Sequence, residues 1–279
     1  MASENNVRES TFVNQDGLTL FYRFWPPESD HRANLIIAHG LGEHCGRYAH
    51  VAHFFNQKGI GVFALDHQGH GRSEGKRGHV DQFDNFIRDL EALRQIGVDT
   101  GSERPTIFFG HSMGGLVLAL YLLNDQNHCD AAILSAPAIA IKSMRPWLSR
   151  VIAVAARLLP SVRTNNQIPA SDLSHDPQVV KNYENDPLVH PLISFSLLDG
   201  MIKGGQRCRQ DAHRIECPLM MVFGNEDRIV QITAAEEMFE KTSSSNKTFI
   251  TFEGFHEIHN EAVKEDEFAA MWNWLKTFL

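Results

Sequence analysis

The chain has 279 residues, with 26 Lys and Arg against 34 Asp and Glu for a formal charge of −8, 43% apolar residues, four cysteines and fifteen histidines. That length allows one large domain, or one domain carrying an insertion, with a core large enough to fold without disulfide staples, and so argues against intrinsic disorder. A net negative chain lacks the basic balance that counterion release on nucleic acid requires, so no nucleic-acid partner is expected.

The opening MASENNVRESTF has no charged region followed by an apolar stretch, and no segment reaches the roughly 18 uninterrupted apolar residues of a spanning helix. A cytoplasmic protein is therefore expected. Asp16-Gly17 supplies a positive-φ turn pair, and Leu18, Leu20 and Tyr22 alternate after it, which predicts a hairpin. After the Pro26-Pro27 break, Leu35–Ala38 and Gly61–Leu65 read as strands buried on both faces, with a helix through Tyr48, Val51, Phe54 and Phe55 between them. From Asp81, taken as an N-cap, Phe83, Phe86, Ile87, Leu90 and Leu93 recur at helical steps. A strand at Thr106–Phe109, a helix from Met113 to Leu123 and a strand at Ala131–Leu134 follow. The rhythm breaks at Pro137 and resumes near Pro218 with a strand at Leu219–Phe223, a helix around Ala234–Phe239, a strand at Thr248–Phe252 and a last helix through Trp272–Phe278. This alternation predicts an α/β fold with a mostly parallel central sheet flanked by helices. The core is expected over 1–137 and 217–279, with 138–216 inserted; Pro146-Trp147-Leu148 and the apolar run Val151–Ala156 predict at least one helix there.

Cys45, Cys129, Cys208 and Cys217 form neither a zinc pattern nor a secreted framework and read as free thiols. His50-x-x-His53 and His67-x-x-His70 have no carboxylate or thiolate at matching spacing, so no metal site is expected.

Gly110-His111-Ser112-Met113-Gly114 matches G-x-S-x-G between a strand and a helix. That is the context a sharp turn needs to expose a serine Oγ while small flanking residues avoid clashes. A serine hydroxyl needs a base, and the base an orienting acid. On such a turn the partners follow in the order acid, then histidine. Asp227 lies just past the Leu219–Phe223 strand and His256 just past the Thr248–Phe252 strand. Glu226 and His259 are the competing acid and base. The backbone amides of Met113, after the nucleophile, and Leu41, after the first parallel strand, are the candidate oxyanion donors.

His39-Gly40-Leu41-Gly42-Glu43-His44 with Gly46-Arg47-Tyr48, then Asp66-His67-Gln68-Gly69-His70-Gly71, then Gly110–Gly115, Asp227 and His256 resemble the monoacylglycerol lipase and lysophospholipase group of α/β-hydrolases. The resemblance runs over nearly the whole chain from about Asn14. It implies an α/β-hydrolase fold and a serine carboxylester hydrolase with a lid of inserted helices over an acyl-chain tunnel, acting on a lipid ester without cofactor. In glycerol-specific members a Glu, an Arg and a second His hold the alcohol; the matching positions are Glu43, Arg47 and His259, although Glu43 and Arg47 also read as a helix-start ion pair. Tyr183-Glu184-Asn185-Asp186-Pro187-Leu188 resembles the segment that closes the lid, which makes Tyr183 a substrate-binding candidate. Monoacylglycerol is the substrate implied, with lysophospholipid, a broad range of carboxylesters, or a ligand-binding receptor of the same fold as alternatives. From Ala131 through Ser171 there is no acid, while Lys142, Arg145, Arg150, Arg157 and Arg163 give +5, leaving −13 elsewhere. A basic, apolar lid suits docking on an anionic membrane surface.

Overall fold

The computed structural model describes residues 7–27, 30–98, 104–124, 128–142 and 144–279. The opening hexapeptide, part of the stretch in which no leader was expected, lies outside these residues. Asn14 Oδ1 accepts from the amides of Asp16 and Leu18 and Gly17 sits at φ 79°, turning β1 (Arg8–Val13) antiparallel onto β2 (Thr19–Trp25) as the turn pair predicts. Then follow β3 (Ala33–Ala38), α1 (Ala49–Asn56), β4 (Ile60–Leu65), α2 (Asp84–Val98), β5 (Thr106–His111), α3 (Met113–Leu122) and β6 (Ala131–Ser135). The segment after β6 carries α4 (Pro146–Leu158), β7 (Arg163–Asn165), α5 (Pro177–Asn185), β8 (Leu192–Ser194) and α6 (Phe195–Asp211). The chain ends with β9 (Leu219–Gly224), α7 (Ile232–Glu240), β10 (Lys247–Phe252) and α8 (Lys264–Leu275).

The main sheet runs β1-β2-β4-β3-β5-β6-β9-β10, parallel from β4 onward. Every residue of β3, β4, β5, β6 and β9 is buried, the pattern expected where helices cover both faces. Val51, Phe55, Phe268 and Met271 of α1 and α8 cover one face. Leu90, Leu116, Leu197, Met201 and Met238 of α2, α3, α6 and α7 cover the other. Each fully buried side chain of this size contributes about 1.5–3 kcal/mol. Every parallel strand points its carboxyl end to one edge, where the loops after β3, β5, β9 and β10 converge.

Two boundaries differ from expectation. The α2 helix begins at Asp84, because the Asp81 carboxylate pairs with His79 Nε2 at 3.2 Å and caps nothing. The final helix stops at Leu275 and continues as one 3₁₀ turn over Lys276–Phe278. Among the described residues the segment 138–216 holds three α-helices, in keeping with the expectation of at least one. Of these, α6 packs on α3 as part of the main core, with Gly205 directly over the Ile139 carbonyl. No helix among the described residues is long and apolar enough to cross a membrane.

Candidate active site

Ser112 sits between the end of β5 and the start of α3 at φ 53°, ψ −116°, a backbone that L-residues rarely adopt and that turns the side chain out of the sheet edge. The turn closes only because its flanks lack side chains: a Cβ on Gly110 would stand 2.6 Å from the Gly114 carbonyl oxygen, and one on Gly114 2.1 Å from that of Ala38. Ser112 Oγ lies 2.9 Å from His256 Nε2, and His256 Nδ1 lies 2.7 Å from Asp227 Oδ2. The other oxygen, Asp227 Oδ1, accepts from the amides of Ile229 (2.7 Å) and Val230 (3.0 Å), so the carboxylate has one free face and the imidazole occupies it. The competing acid Glu226 and competing base His259 are not in this chain of bonds.

The electrostatics match the geometry. Burial opposes a charge on His256, but the Asp227 carboxylate, through its charge and its hydrogen bond, outweighs burial and holds the imidazole pKa above the ordinary histidine value. Burial likewise pushes Asp227 up, and His256 with the two loop amides more than reverses it, so the acid stays below the usual carboxylate range. The ring of His111, 4.8 Å from that of His256, is driven by burial and by that neighbour down to about 3 and stays neutral.

Leu41 follows β3 in a turn held at several points. His39 Nδ1 bonds the Gly40 carbonyl (2.8 Å), the Gly40 amide donates to Glu43 Oε1 (2.6 Å), and the Gly42 carbonyl accepts from the His190 amide (2.9 Å). Met113 starts α3 and has an N-terminal amide outside the helical ladder. Neither the Leu41 nor the Met113 amide has an acceptor among the described residues.

Glu43 and Arg47 meet as expected, but a third residue joins them that the motif reading passed over. The Arg47 guanidinium donates to Glu43 Oε2 at 2.6 Å and forms a two-pronged pair with Glu257 at 2.7 and 2.6 Å. Glu43 Oε1 also accepts from Tyr48 Oη at 2.7 Å. Burial raises both carboxyls; at Glu257 the Arg47 charge and bonds win and hold it far below the usual range, while at Glu43 burial and the Glu257 charge prevail and the pKa lies above the ordinary value. Position was the only clue to Glu257, as the residue immediately after the proposed base. The Tyr183 ring, on α5, lies 4.8 Å from the Arg47 guanidinium carbon. His259 is 1% exposed and packs behind this group on Tyr48 and His111, with no hydrogen-bond partner on either ring nitrogen among the described residues; its imidazole lines neither cavity beside Ser112. His111, and not His259, lines the small cavity beside Ser112.

Two cavities meet at Ser112 and share only Leu41, Ser112, Ile168 and Ile229. One, of about 530 Å³, is lined mostly by apolar side chains such as Leu148, Ile152, Phe195, Leu198 and Met201, with Asn165, Asn166, Gln167, Asp172 and Arg228 also on its wall. The other, of about 20 Å³, is lined by Glu43, His111, Tyr183, His256 and Glu257. Carboxylates and a histidine of this second group lie close enough together to suggest metal ligands, namely Glu43, His111 and Glu257. The Arg47 guanidinium is paired with both carboxylates and offsets one of their two charges, which weakens their pull on a cation.

The family described as Hydrolase_4, serine aminopeptidase, S33, matches residues 29–263. The chain is 33% identical over 274 residues to a monoacylglycerol lipase of Mycolicibacterium smegmatis, covering 97% of this chain and 98% of that one. It is 34% identical over 255 residues to a monoglyceride lipase of Rattus norvegicus, covering 89% and 83%. Its fold is similar to the crystal structure of a Paleococcus ferrophilus monoacylglycerol lipase, with a TM-score of 0.86 at 29% identity over 93% of this chain and 99% of that one. A soluble variant of monoglyceride lipase from Saccharomyces cerevisiae, solved with a substrate analog, shares the fold at a TM-score of 0.90 and 20% identity, over 100% and 97% of the two chains.

Proposed function

Since this chain belongs to the serine aminopeptidase, S33 family, within the monoacylglycerol lipase and lysophospholipase group of α/β-hydrolases, and is a lipase-type serine hydrolase, we propose that it cleaves monoacylglycerol to fatty acid and glycerol through an acyl-enzyme on Ser112. In this reading Ser112 Oγ attacks the ester carbonyl as its proton passes to His256 Nε2, 2.9 Å away. Asp227 orients the imidazole and stabilises the imidazolium. The amides of Leu41 and Met113 donate to the oxyanion, a stabilisation of about 3–4 kcal/mol for each good donor. His256 then protonates the leaving glycerol and activates water for deacylation.

The observation that supports the choice of substrate is the asymmetry across Ser112: a mostly apolar cavity of about 530 Å³ on one side, and on the other a recess of about 20 Å³ that carries the charged and polar side chains of Glu43, Glu257 and Tyr183. The large cavity is of the size that encloses a lipid chain. The small one offers Glu43, Glu257 and Tyr183 to hydroxyl groups, with Arg47 fixing the two carboxylates, and a phosphodiester headgroup would bring negative charge against them. The segment 138–216 acts as the lid: α4 and α6 supply Leu148, Ile152, Leu198 and Met201 to the acyl wall, and α5 supplies Tyr183 to the alcohol side.

The outer face of α4 supports transient docking on a membrane. Trp147, Val151, Val154 and Leu158 form a helical stripe, each at least 55% exposed, beside Arg145, Arg150 and Arg157. Co-sedimentation with anionic vesicles should fall at least severalfold when these three arginines become Gln, and unchanged binding would refute docking through this face. The substrate reading is tested by hydrolysis of 1-oleoylglycerol against oleoyl lysophosphatidylcholine and p-nitrophenyl acetate. We expect kcat/KM for the monoglyceride to exceed that for the lysophospholipid by at least tenfold, and parity or reversal would overturn the assignment. Fluorophosphonate labelling that is lost in Ser112→Ala and sharply reduced in His256→Ala is the companion result for the mechanism.

A further inference from the structure

Glu261 plays no part in the reading above, yet its buried carboxylate accepts four hydrogen bonds. Oε1 takes the Phe255 amide at 2.9 Å and, from His175, both the amide and Nδ1 at 3.0 Å. Oε2 is met by Ser174 Oγ at 3.2 Å. Phe255 immediately precedes His256, while Ser174 and His175 lie in the inserted segment, just before α5. The same strap, residues 172–175, takes up the next two amides of the base loop: the His256 amide donates to the Asp172 carbonyl at 3.4 Å and the Glu257 amide to the Leu173 carbonyl at 2.8 Å. The consecutive amides of Phe255, His256 and Glu257 are thus held by Glu261 or by the strap that Glu261 holds.

We propose that Glu261 is a positioning residue that clamps the base loop to the inserted segment and so sets His256 against Ser112; this rests on His256 being the base of the reading above. Neither Glu261 nor His175 lines a cavity beside Ser112, so any part they have in hydrolysis is exerted through the base loop. That loop has no ladder of its own to fix it: β10 ends at Phe252, the next 3₁₀ turn begins at Ile258, and residues 253–257 belong to no helix or strand. Its amides need partners from elsewhere, and a carboxylate binds an amide more strongly than a neutral acceptor does. The fit leaves no slack beside it, since a Cβ on Gly254 would stand 2.9 Å from Glu261 Cγ.

The strap reaches the acid as well as the base. The Phe255 ring stacks on the His175 imidazole with centroids 3.6 Å apart and lies 4.2 Å from the Arg228 guanidinium carbon. Arg228 follows Asp227 and pairs with Asp172 at 3.3 Å. His256 must keep Nδ1 2.7 Å from Asp227 and Nε2 2.9 Å from Ser112 Oγ at once, and displacing a catalytic group by about 1 Å can cost about 10²-fold in rate. Removing the Glu261 carboxylate frees the Phe255 amide directly and takes away the bonds to Ser174 and His175 with it.

The test compares Glu261→Ala and Glu261→Gln with the parent on p-nitrophenyl acetate, an ester without a glycerol end, so the result does not depend on monoacylglycerol being the substrate. Glu261→Ala should lower kcat by about 10²-fold with KM within about threefold, the pattern of a misplaced base rather than of a lost binding contact. Glu261→Gln keeps an oxygen for the Phe255 amide and should hold kcat within about fivefold of the parent. Fluorophosphonate labelling of Ser112 should slow in the same order. Leu275→Ala, at the end of α8 in the core under the other face of the sheet, lowers stability without touching either loop and should keep the parental kcat at a temperature where every variant is folded by circular dichroism. Should Glu261→Ala fail to fold, His175→Ala withdraws one bond and the ring stack from the strap side and should lower kcat about fivefold at unchanged KM. A folded Glu261→Ala with kcat within threefold of the parent, a loss confined to KM, an equal loss of kcat in Leu275→Ala, or, where Glu261→Ala does not fold, a parental kcat in His175→Ala would overturn the clamp alone. Hydrolysis that survives Ser112→Ala would instead refute the acyl-enzyme mechanism, and the clamp with it.

Discussion

Glu257→Gln separates the buried charge cluster from the catalytic bonds beside it. The substitution keeps shape and volume but removes one of the two carboxylates that neutralise Arg47, whose side chain is only 11% exposed. Two charge-assisted hydrogen bonds, at 2.7 and 2.6 Å, are weakened. Removing one partner of a fully buried pair costs about 3–5 kcal/mol, but Glu43 remains 2.6 Å from the guanidinium and the amide oxygen still accepts, so about 2 kcal/mol is the expected loss. For a chain of this length that lowers the thermal midpoint by about 5 °C. The loss depends on pH with a definite sign. Glu257 is depressed in the folded chain, so its stabilisation is fully present above the unfolded carboxyl value of about 4.3 and is lost as pH falls toward the folded value. The gap between parent and variant should therefore be constant from pH 5 to 8 and shrink below pH 4. The Glu257 charge also helps raise the pKa of His256, so the acid limb of kcat/KM should move to lower pH in the variant. Calorimetry across pH and a pH–rate profile on p-nitrophenyl acetate read both effects. An unchanged midpoint at pH 7 together with an unmoved acid limb would refute the reasoning.

Asp227→Asn should leave the fold intact and reduce kcat by about 10⁴-fold, because the amide can hold His256 in the tautomer that cannot accept the serine proton; a loss under tenfold in steady-state hydrolysis would remove Asp227 from the triad. Glu267 is fully buried with no partner for either oxygen among the described residues, and burial raises its pKa well above the ordinary value. A raised folded pKa means stability declines as pH climbs from the unfolded value, so Glu267→Gln should stabilise at pH 8 and converge on the parent near pH 4, as urea denaturation at the two pH values will check. Gly205→Ala places a Cβ 2.1 Å from the Ile139 carbonyl oxygen and should cost about 2–3 kcal/mol, visible as a lower urea midpoint at unchanged slope.

The parallel frame was legible because the signals that mark it are local. Leu35–Ala38, Gly61–Leu65 and Leu219–Phe223 are short apolar runs closed by turn residues, and each proved to be a strand buried throughout. Ser112, Asp227 and His256 could be named for a related reason: each follows a recognisable strand, and strand ends share one edge. The α6 helix had no assigned place in the sequence because its buried face continues past Leu197 and Met201 with Gly204 and Gly205, which carry no apolar signal. The glycines let it lie on Ile139 and Leu120 at backbone distance, a tertiary reason invisible to a propensity count. The N-cap assigned to Asp81 failed because His79, two residues back, competes for the same carboxylate. Glu257 and the withdrawal of His259 behind His111 depend on contacts between residues roughly 150 to 210 positions apart, which spacing does not encode.

Those long-range contacts also bear on the two readings that Glu43 and Arg47 allowed. A helix-start ion pair and an alcohol site look like alternatives in the sequence, but the two oxygens of Glu43 divide the work. Oε2 meets Arg47, while Oε1 accepts from the Gly40 amide at 2.6 Å and from Tyr48 Oη at 2.7 Å. Gly40 immediately precedes Leu41, so the carboxylate fixes the turn that carries the candidate oxyanion amide. Arg47 in turn fixes Glu257, which is covalently next to His256. One ion cluster therefore ties the Leu41 turn to the His256 loop, and its carboxylates form the wall of the small chamber between them. The ion pair is the means by which the chamber keeps its shape, and under the proposed function a substrate hydroxyl would meet groups held by the same bonds that hold the fold.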